Sequence, residues 1–225
     1  MTKRLEAILS YISGDGGVID VGTDHGYIPV ELALNGYKGK IIASDINPGP
    51  LGAAKRTAAE NGVSDRIEFL LSDGLDGCAP GSVENIIIAG MGGDQISQIL
   101  DRAEWTMSSG VNLILQPMTK AEVLRFWLVN NGYEIQTDYL IKDFGKLYSV
   151  INARYTGRNT ALSDAELFSG AYEHIKNNGY FTELMNSLAE RMLRIINGLT
   201  MSGADGYITD FYNNILNEVT EMKSR

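Results

Sequence analysis

Cysteine is almost absent from this 225-residue sequence: Cys78 stands alone, which excludes an internal disulfide and a thiolate metal cluster and fits a reducing compartment. With no neighbouring thiol, Cys78 reads as a small inert residue. Long apolar runs are missing as well, and no stretch approaches the roughly 18 residues of a membrane span. The opening MTKRLEAILSYISGDGG has only a short, interrupted apolar stretch and no small-residue cleavage site, so no signal peptide is expected. A soluble cytoplasmic protein is the expectation, with no metal and no obligate protein partner. Basic residues are scarce, 19 against 28 acidic for a net charge of −9, which argues against broad affinity for nucleic acid or an anionic membrane. Contact with a polyanion has to be local. The candidate clusters are Lys3/Arg4, Lys38/Lys40, Lys55/Arg56 and Arg191/Arg194, each a solvated surface by default. Repeats and low-complexity segments are also absent.

What is present is an alternation of short β-rich runs and helix-compatible segments from about residue 17 to 157, the pattern of βαβ units and a mostly parallel sheet. Strands are predicted at Val18–Val21, Ile41–Ser44, Ile67–Leu71, Asn85–Ala89 and Asn112–Gln116, with room for a crossover helix each time. Tyr133–Ile141 and Leu147–Tyr155 follow each other too closely for a crossover, which predicts an antiparallel hairpin at a sheet edge. Asn47-Pro48 reads as an N-cap and first turn, launching a helix to about Asn61. Thr119 to Glu122 and Ser163 to Glu166 read as capping boxes. The second follows the polar stretch Thr156–Thr160 and opens a tail of different periodicity, with a helix expected over Ser163–Asn177. Beyond it Leu184, Leu188, Met192, Ile195 and Leu199, then Ile208, Phe211, Ile215, Val219 and Met222, recur at helical spacing on either side of Ser202–Gly206. Two amphipathic helices burying one another are expected there. His174, in this tail, reads as structural or exposed.

The first strand runs into Asp20-Val21-Gly22-Thr23-Asp24-His25-Gly26. In an open α/β sheet such a strand-to-helix turn is where a nucleotide binds. The nicotinamide fingerprint G-x-G-x-x-G is missing, and Asp24 stands where its second glycine belongs. A carboxylate there repels a pyrophosphate but attracts the ammonium or sulfonium of S-adenosylmethionine (SAM). The next strand ends in Asp45, placed to accept both ribose hydroxyls of an adenosine, and the third ends at Asp73, placed to accept from an adenine amino group. After the fourth strand, Gly90-Met91-Gly92-Gly93-Asp94 leaves the backbone open to a flat acceptor.

Asp20–Pro29, Ala43–Pro48, Ser72–Leu75, Ile88–Gly93 and Leu115–Met118 together resemble the bacterial tRNA (adenine-22-N1)-methyltransferases of the TrmK type. The resemblance implies a Rossmann-like class I SAM-dependent methyltransferase fold over residues 1–157, α/β and mostly parallel with an antiparallel edge hairpin. Residues 158–225 match the family's helical, coiled-coil-like C-terminal appendage. It implies methyl transfer to N1 of an adenine in the D-arm region of tRNA. SAM is then expected against Asp20, Gly22, Asp24, His25, Gly26, Asp45, Ile46, Asp73, Gly74, Ala89, Gly90 and Met91. The RNA is expected at Gly92, Gly93, Gln116 and Pro117, and at Arg191 and Arg194 of the tail. Asp94 and His25 are candidates for a base or for orienting the acceptor. The residues alone leave open a methyltransferase acting on a small molecule or protein, or a non-catalytic SAM-binding module.

Overall fold

The computed structural model describes residues 2–108, 110–203 and 205–225. In chain order these form α1 (Lys3–Ser10), β1 (Val18–Val21), α2 (Tyr27–Leu34), β2 (Ile41–Asp45), α3 (Pro48–Glu60), β3 (Ile67–Leu71), β4 (Asn85–Gly92), α4 (Gly93–Arg102), β5 (Asn112–Thr119), α5 (Ala121–Asn130), β6 (Tyr133–Asp143), β7 (Lys146–Tyr155), α6 (Asp164–Ser169), α7 (Tyr172–Ile175), α8 (Phe181–Ser202) and α9 (Gly206–Ser224). One sheet of order β3-β2-β1-β4-β5-β7-β6 carries them. Its first five strands are parallel, and β7 runs antiparallel between β5 and β6. This is the expected Rossmann-like architecture, every predicted strand being present.

The period-two alternation of side chains builds two cores. Val18, Ile41, Ala43, Ile87, Ile114 and Val150 face α1, α2 and α3. Ile19, Ile42, Ile86, Leu113 and Ile151 face α4 and α5. From β1 the chain steps outward to β2 and β3, then returns to β4 on the other flank of β1. That reversal opens a crevice at the carboxyl ends of β1 and β4.

Four local expectations need correction. No crossover helix links β3 to β4: residues 72–84 form turns, because Gly74, Gly77, Pro80 and Gly81 suppress helix, although Leu75, Cys78 and Val83 still enter the core. Thr119 caps nothing, since it pairs with Gly92 as the last residue of β5, and Lys120 opens α5 at a φ of +54° with no side-chain cap. The helix expected over Ser163–Asn177 is split into α6 and α7 at Gly170. Gly170 has a φ of +100°, and a Cβ there would lie 2.8 Å from Asp138 Oδ2. Asn47 does occupy the N-cap of α3, but without a side-chain cap bond; its backbone N–H donates to Asp45 Oδ1 at 2.8 Å. The Ser163 capping box is formed as expected.

An element not expected from the sequence is α1. Its Thr2 hydroxyl caps Leu5, and the helix packs on β5, β6, β7 and α2. The tail helices α8 and α9 pair as an antiparallel hairpin, but they bury one another along only part of their length. Leu188, Met192, Ile215, Val219 and Met222 are buried with Leu140 of β6, whereas Ile208 and Phe211 are exposed at the far end. Ala204, within the break between these helices, lies outside the described residues.

Arg125 of α5 joins the sheet to the tail. It is 1% exposed, donates through Nε to Asp138 Oδ2 at 2.6 Å and through Nη2 to Ser149 Oγ at 2.7 Å, and its Nη1 donates to the Leu167 carbonyl of α6 at 2.8 Å. One guanidinium thereby ties together two strands and the C-terminal end of a helix that would otherwise leave carbonyls unsatisfied.

Candidate active site

The loop after β1 is held by its own backbone. Gly22 and Thr23 N–H both donate to the Ser44 carbonyl of β2, at 2.8 and 2.9 Å. Gly26 then starts α2 at a φ of +72°, with Ala54 of α3 so near that a Cβ would lie 2.8 Å from the alanine methyl. Any other residue there is strained and pushes α3 away from the loop.

Strand alternation turns Asp20 to the same side as Val18, where it is 4% exposed and accepts a hydrogen bond from Thr23 Oγ1 at 2.7 Å. Burial pushes its carboxyl up to about 6; the Thr23 bond opposes the rise and the charge of Asp45 adds to it. A buried carboxylate so shifted, beside a crevice, is a candidate functional group. The native state binds this proton more tightly than the unfolded chain does, so its contribution to stability is full below about pH 4 and is lost as pH rises through about 6. Asp20→Asn is therefore expected to stabilise the ligand-free protein at pH 7 by on the order of 3 kcal/mol. It should also flatten the slope between pH 4 and 6 relative to wild type in urea titrations, and equal slopes would refute the assignment.

Two concavities meet at the loop. The one on the β2–β3 side, about 330 Å³, is lined by Asp45, Ile46, Asp73, Gly74, Met91 and Ile99 among others. The one under α1, about 300 Å³, is lined by Asp20, Thr23, Tyr27, Gln116 and Arg4 among others. Gly22, Asp24, Ala89 and Gly90 form the wall common to both. Ten of the predicted cofactor residues thus come together: Asp20, Gly22, Asp24, Asp45, Ile46, Asp73, Gly74, Ala89, Gly90 and Met91. His25 and Gly26 line neither side; the half-exposed His25 ring stacks on Tyr27 with its Nε2 3.8 Å from Asp24 Oδ2, and Gly26 supports the loop from below. Asp73 is already engaged, its Oδ1 3.0 Å from Arg102 Nη2.

The sequence offered Arg4 only as half of the Lys3/Arg4 basic cluster, not as a residue of the crevice. Its Nη1 donates to Gln116 Oε1 at 3.3 Å, the guanidinium lies 5.4 Å from the Tyr148 ring centroid, and Nε is buried with no hydrogen-bond partner among the described residues. The helical spacing of Leu5, Ile8, Leu9 and Ile12 was the one signal that could have drawn α1 over the crevice. The other basic clusters are partly spent, Lys40 on Glu68 and Lys55 over the Phe69 ring.

Beyond the crevice, Gly93 packs against the Lys120 carbonyl, while Gly92 pairs with Thr119. Asp94 Oδ2 lies 2.5 Å from Lys120 Nζ, and that hydrogen bond with the lysine's charge holds its carboxyl below the usual range. Gln116 is fully buried in the crevice, and Pro117 begins a second groove between the sheet and the tail that Met118, Lys120, Tyr148, Phe168 and Arg191 also line. Arg191 is paired with Glu122 at 2.9 Å and stacked on Phe168; Arg194, exposed on the same helix, lines neither groove nor crevice.

The architecture and the crevice agree with what known proteins show. Residues 1–151 match the family described as methyltransferase domain. The tRNA (adenine(22)-N(1))-methyltransferase of Bacillus subtilis is 33% identical over 170 residues, 76% of this chain and 71% of that protein. The crystal structure of the Bacillus subtilis tRNA methyltransferase TrmK superposes with a TM-score of 0.80 at 28% identity, covering 100% of this chain and 96% of that one. A Streptococcus pneumoniae structure in complex with S-adenosyl-L-methionine gives 0.82 at 26% identity, with 99% of each chain covered. The chain belongs to the methyltransferase-domain family and, within it, to the tRNA (adenine(22)-N(1))-methyltransferases.

Proposed function

We propose that this protein transfers the methyl group of SAM to N1 of adenine 22 in tRNA, in the cytoplasm, with residues 1–157 as the catalytic unit and residues 158–225 as an RNA-binding appendage. The observation that carries the cofactor assignment is that a buried, proton-hungry Asp20 and the guanidinium-bearing Arg4 line one concavity. A cation and an anion side by side on a ligand satisfy both, and an α-amino acid is such a ligand. Arg4 would take the carboxylate, and Asp20 with Asp24 the ammonium. Across the shared wall, Asp45 would accept the ribose hydroxyls, with Ile46, Gly74 and Met91 enclosing the base. When bound, SAM supplies an electrophilic methyl on a sulfonium.

The acceptor attacks with its own lone pair, so the chain's task is placement. Gly90 and Gly92 keep the rim open to a planar base. Asp94, held ionised by Lys120, suits the stabilisation of positive charge on the methylated ring better than the uptake of its proton. His25, half exposed beside Asp24 and stacked on Tyr27, lines neither concavity and would act in orienting the acceptor at the outer face of the loop. Arg191 and Arg194 would meet phosphates from the tail, a local basic feature on an acidic chain.

The test is methylation of unmodified tRNA with labelled SAM, followed by nucleoside mapping. Label at N1 of adenine 22 is expected. Label confined to protein or small-molecule extracts, or none despite SAM binding, would overturn the reading.

A further inference from the structure

The tip of the β6–β7 hairpin carries a residue the fold does not need. Phe144 and Gly145 have φ of +46° and +78°, the two left-handed positions of a tight hairpin turn that asparagine, aspartate and glycine ordinarily fill. A bulky aromatic side chain is strained in that conformation. Phe144 recovers nothing by packing, being 89% exposed. Strain retained without burial points to a contact outside the chain.

Its position says where that contact is. Because β7 is antiparallel to β5, the tip extends from the end of the sheet at which β1 to β5 finish, the end where the crevice opens. The residues that follow it, Leu147, Tyr148 and Ser149, line the groove leading from Pro117 to Arg191. At about 3.3 Å per residue the ring lies ~13 Å along the strand from Tyr148, whose own ring carries the Arg4 guanidinium at the crevice, so Phe144 stands outside the crevice on the side from which a large substrate would extend.

The surrounding chemistry selects the partner. Lys142 is engaged by Glu183 at 2.7 Å, whereas Lys146, exposed two residues from Phe144, forms no ion pair among the described residues. Asp143 and Gly145 flank the ring, so it stands alone rather than in the wide apolar patch a protein interface uses. An isolated, accessible ring beside a free cation matches how unpaired nucleobases and their phosphates are held. We infer that Phe144 stacks on an unpaired nucleobase flanking the methylated nucleotide, with Lys146 on the adjoining phosphate. This rests on the tRNA reading above.

The experiment compares full-length wild type, Phe144→Gly and Phe144→Trp in steady-state methylation of tRNA. Glycine relaxes the turn, so its melting temperature should equal or exceed that of wild type, and the Kd for SAM should be the same in all three. Phe144→Gly is expected to raise KM for tRNA about 10-fold, and tryptophan to restore it. The ratio of KM values should persist at higher salt, because stacking is not a charge effect. A KM for Phe144→Gly within twofold of wild type overturns the inference, including the case in which the tip serves a protein. A wild type that methylates no tRNA removes the functional reading and this inference with it, whereas an active wild type and an indifferent Phe144→Gly remove only the latter.

Discussion

Arg125→Ala is expected to destabilise the protein by about 3–5 kcal/mol, the cost of leaving a buried charge without its partner. Asp138, with side-chain exposure of 0%, would lose the guanidinium that now neutralises it, and the Leu167 carbonyl and Ser149 hydroxyl would lose a donor. For a chain of this size the loss corresponds to roughly 10 °C in melting temperature. Replacing both members, Arg125→Met with Asp138→Leu, should recover much of it, since an apolar pair of similar volume avoids the desolvation of two charges. Urea unfolding of Arg125→Ala and of the double variant, each against wild type, checks this. Equal stability of Arg125→Ala and wild type would show that the pair contributes nothing. The same guanidinium anchors α6, so the single variant should also loosen the tail and weaken tRNA binding more than SAM binding. Deleting the tail outright is a poorer test, because it strips the cover from Arg125 and Leu140.

Asp45→Ala is expected to weaken SAM binding by at least 100-fold while leaving the fold intact. The carboxylate is 7% exposed at the end of β2 and is oriented by the Asn47 N–H at 2.8 Å. Its remaining lone pairs accept from both ribose hydroxyls in the proposed arrangement, and hydrogen bonds to a charged group contribute about 1.5–3 kcal/mol each. Asp45→Asn keeps an acceptor for Asn47 but loses the charge, so its loss should be intermediate. Calorimetric titration with SAM decides it, and an unchanged affinity for Asp45→Ala would sink the assignment. Asp45 and Asp20 are coupled, because the charge of Asp45 helps raise the Asp20 carboxyl, so Asp45→Ala should also lower the pH through which Asp20 loses its proton.

Much of the fold was legible residue by residue. Strand positions followed from short runs rich in β-branched residues, and the hairpin at the edge from the few residues between Ile141 and Leu147. The crevice was nearly as readable, because a ligand in such a sheet lies at successive strand ends and Asp20, Asp45, Asp73 and Gly90 are adjacent to those ends in sequence. What was not legible depends on residues distant in the chain. Arg4 meets Gln116 across 112 positions, and Arg125 meets Leu167 across 42. No local pattern encodes such a pairing. Thr119 shows the same limit from the other side: its capping signature was present, but pairing with Gly92 drew the residue into the sheet and left Lys120 to begin the helix.

The α/β class, the glycine loop, the acidic strand ends and the helical tail are each written in neighbouring residues and in periods of 2 or 3.6. It is folding that brings Arg4 and α1 over the crevice, raises the proton affinity of Asp20 by burial, pairs Lys120 with Asp94 so that its carboxyl stays below the usual range, and fastens the tail through one buried guanidinium. Those properties belong to the surroundings of a side chain. Desolvation and charge pairing act through space, and they do not exist until the chain has folded.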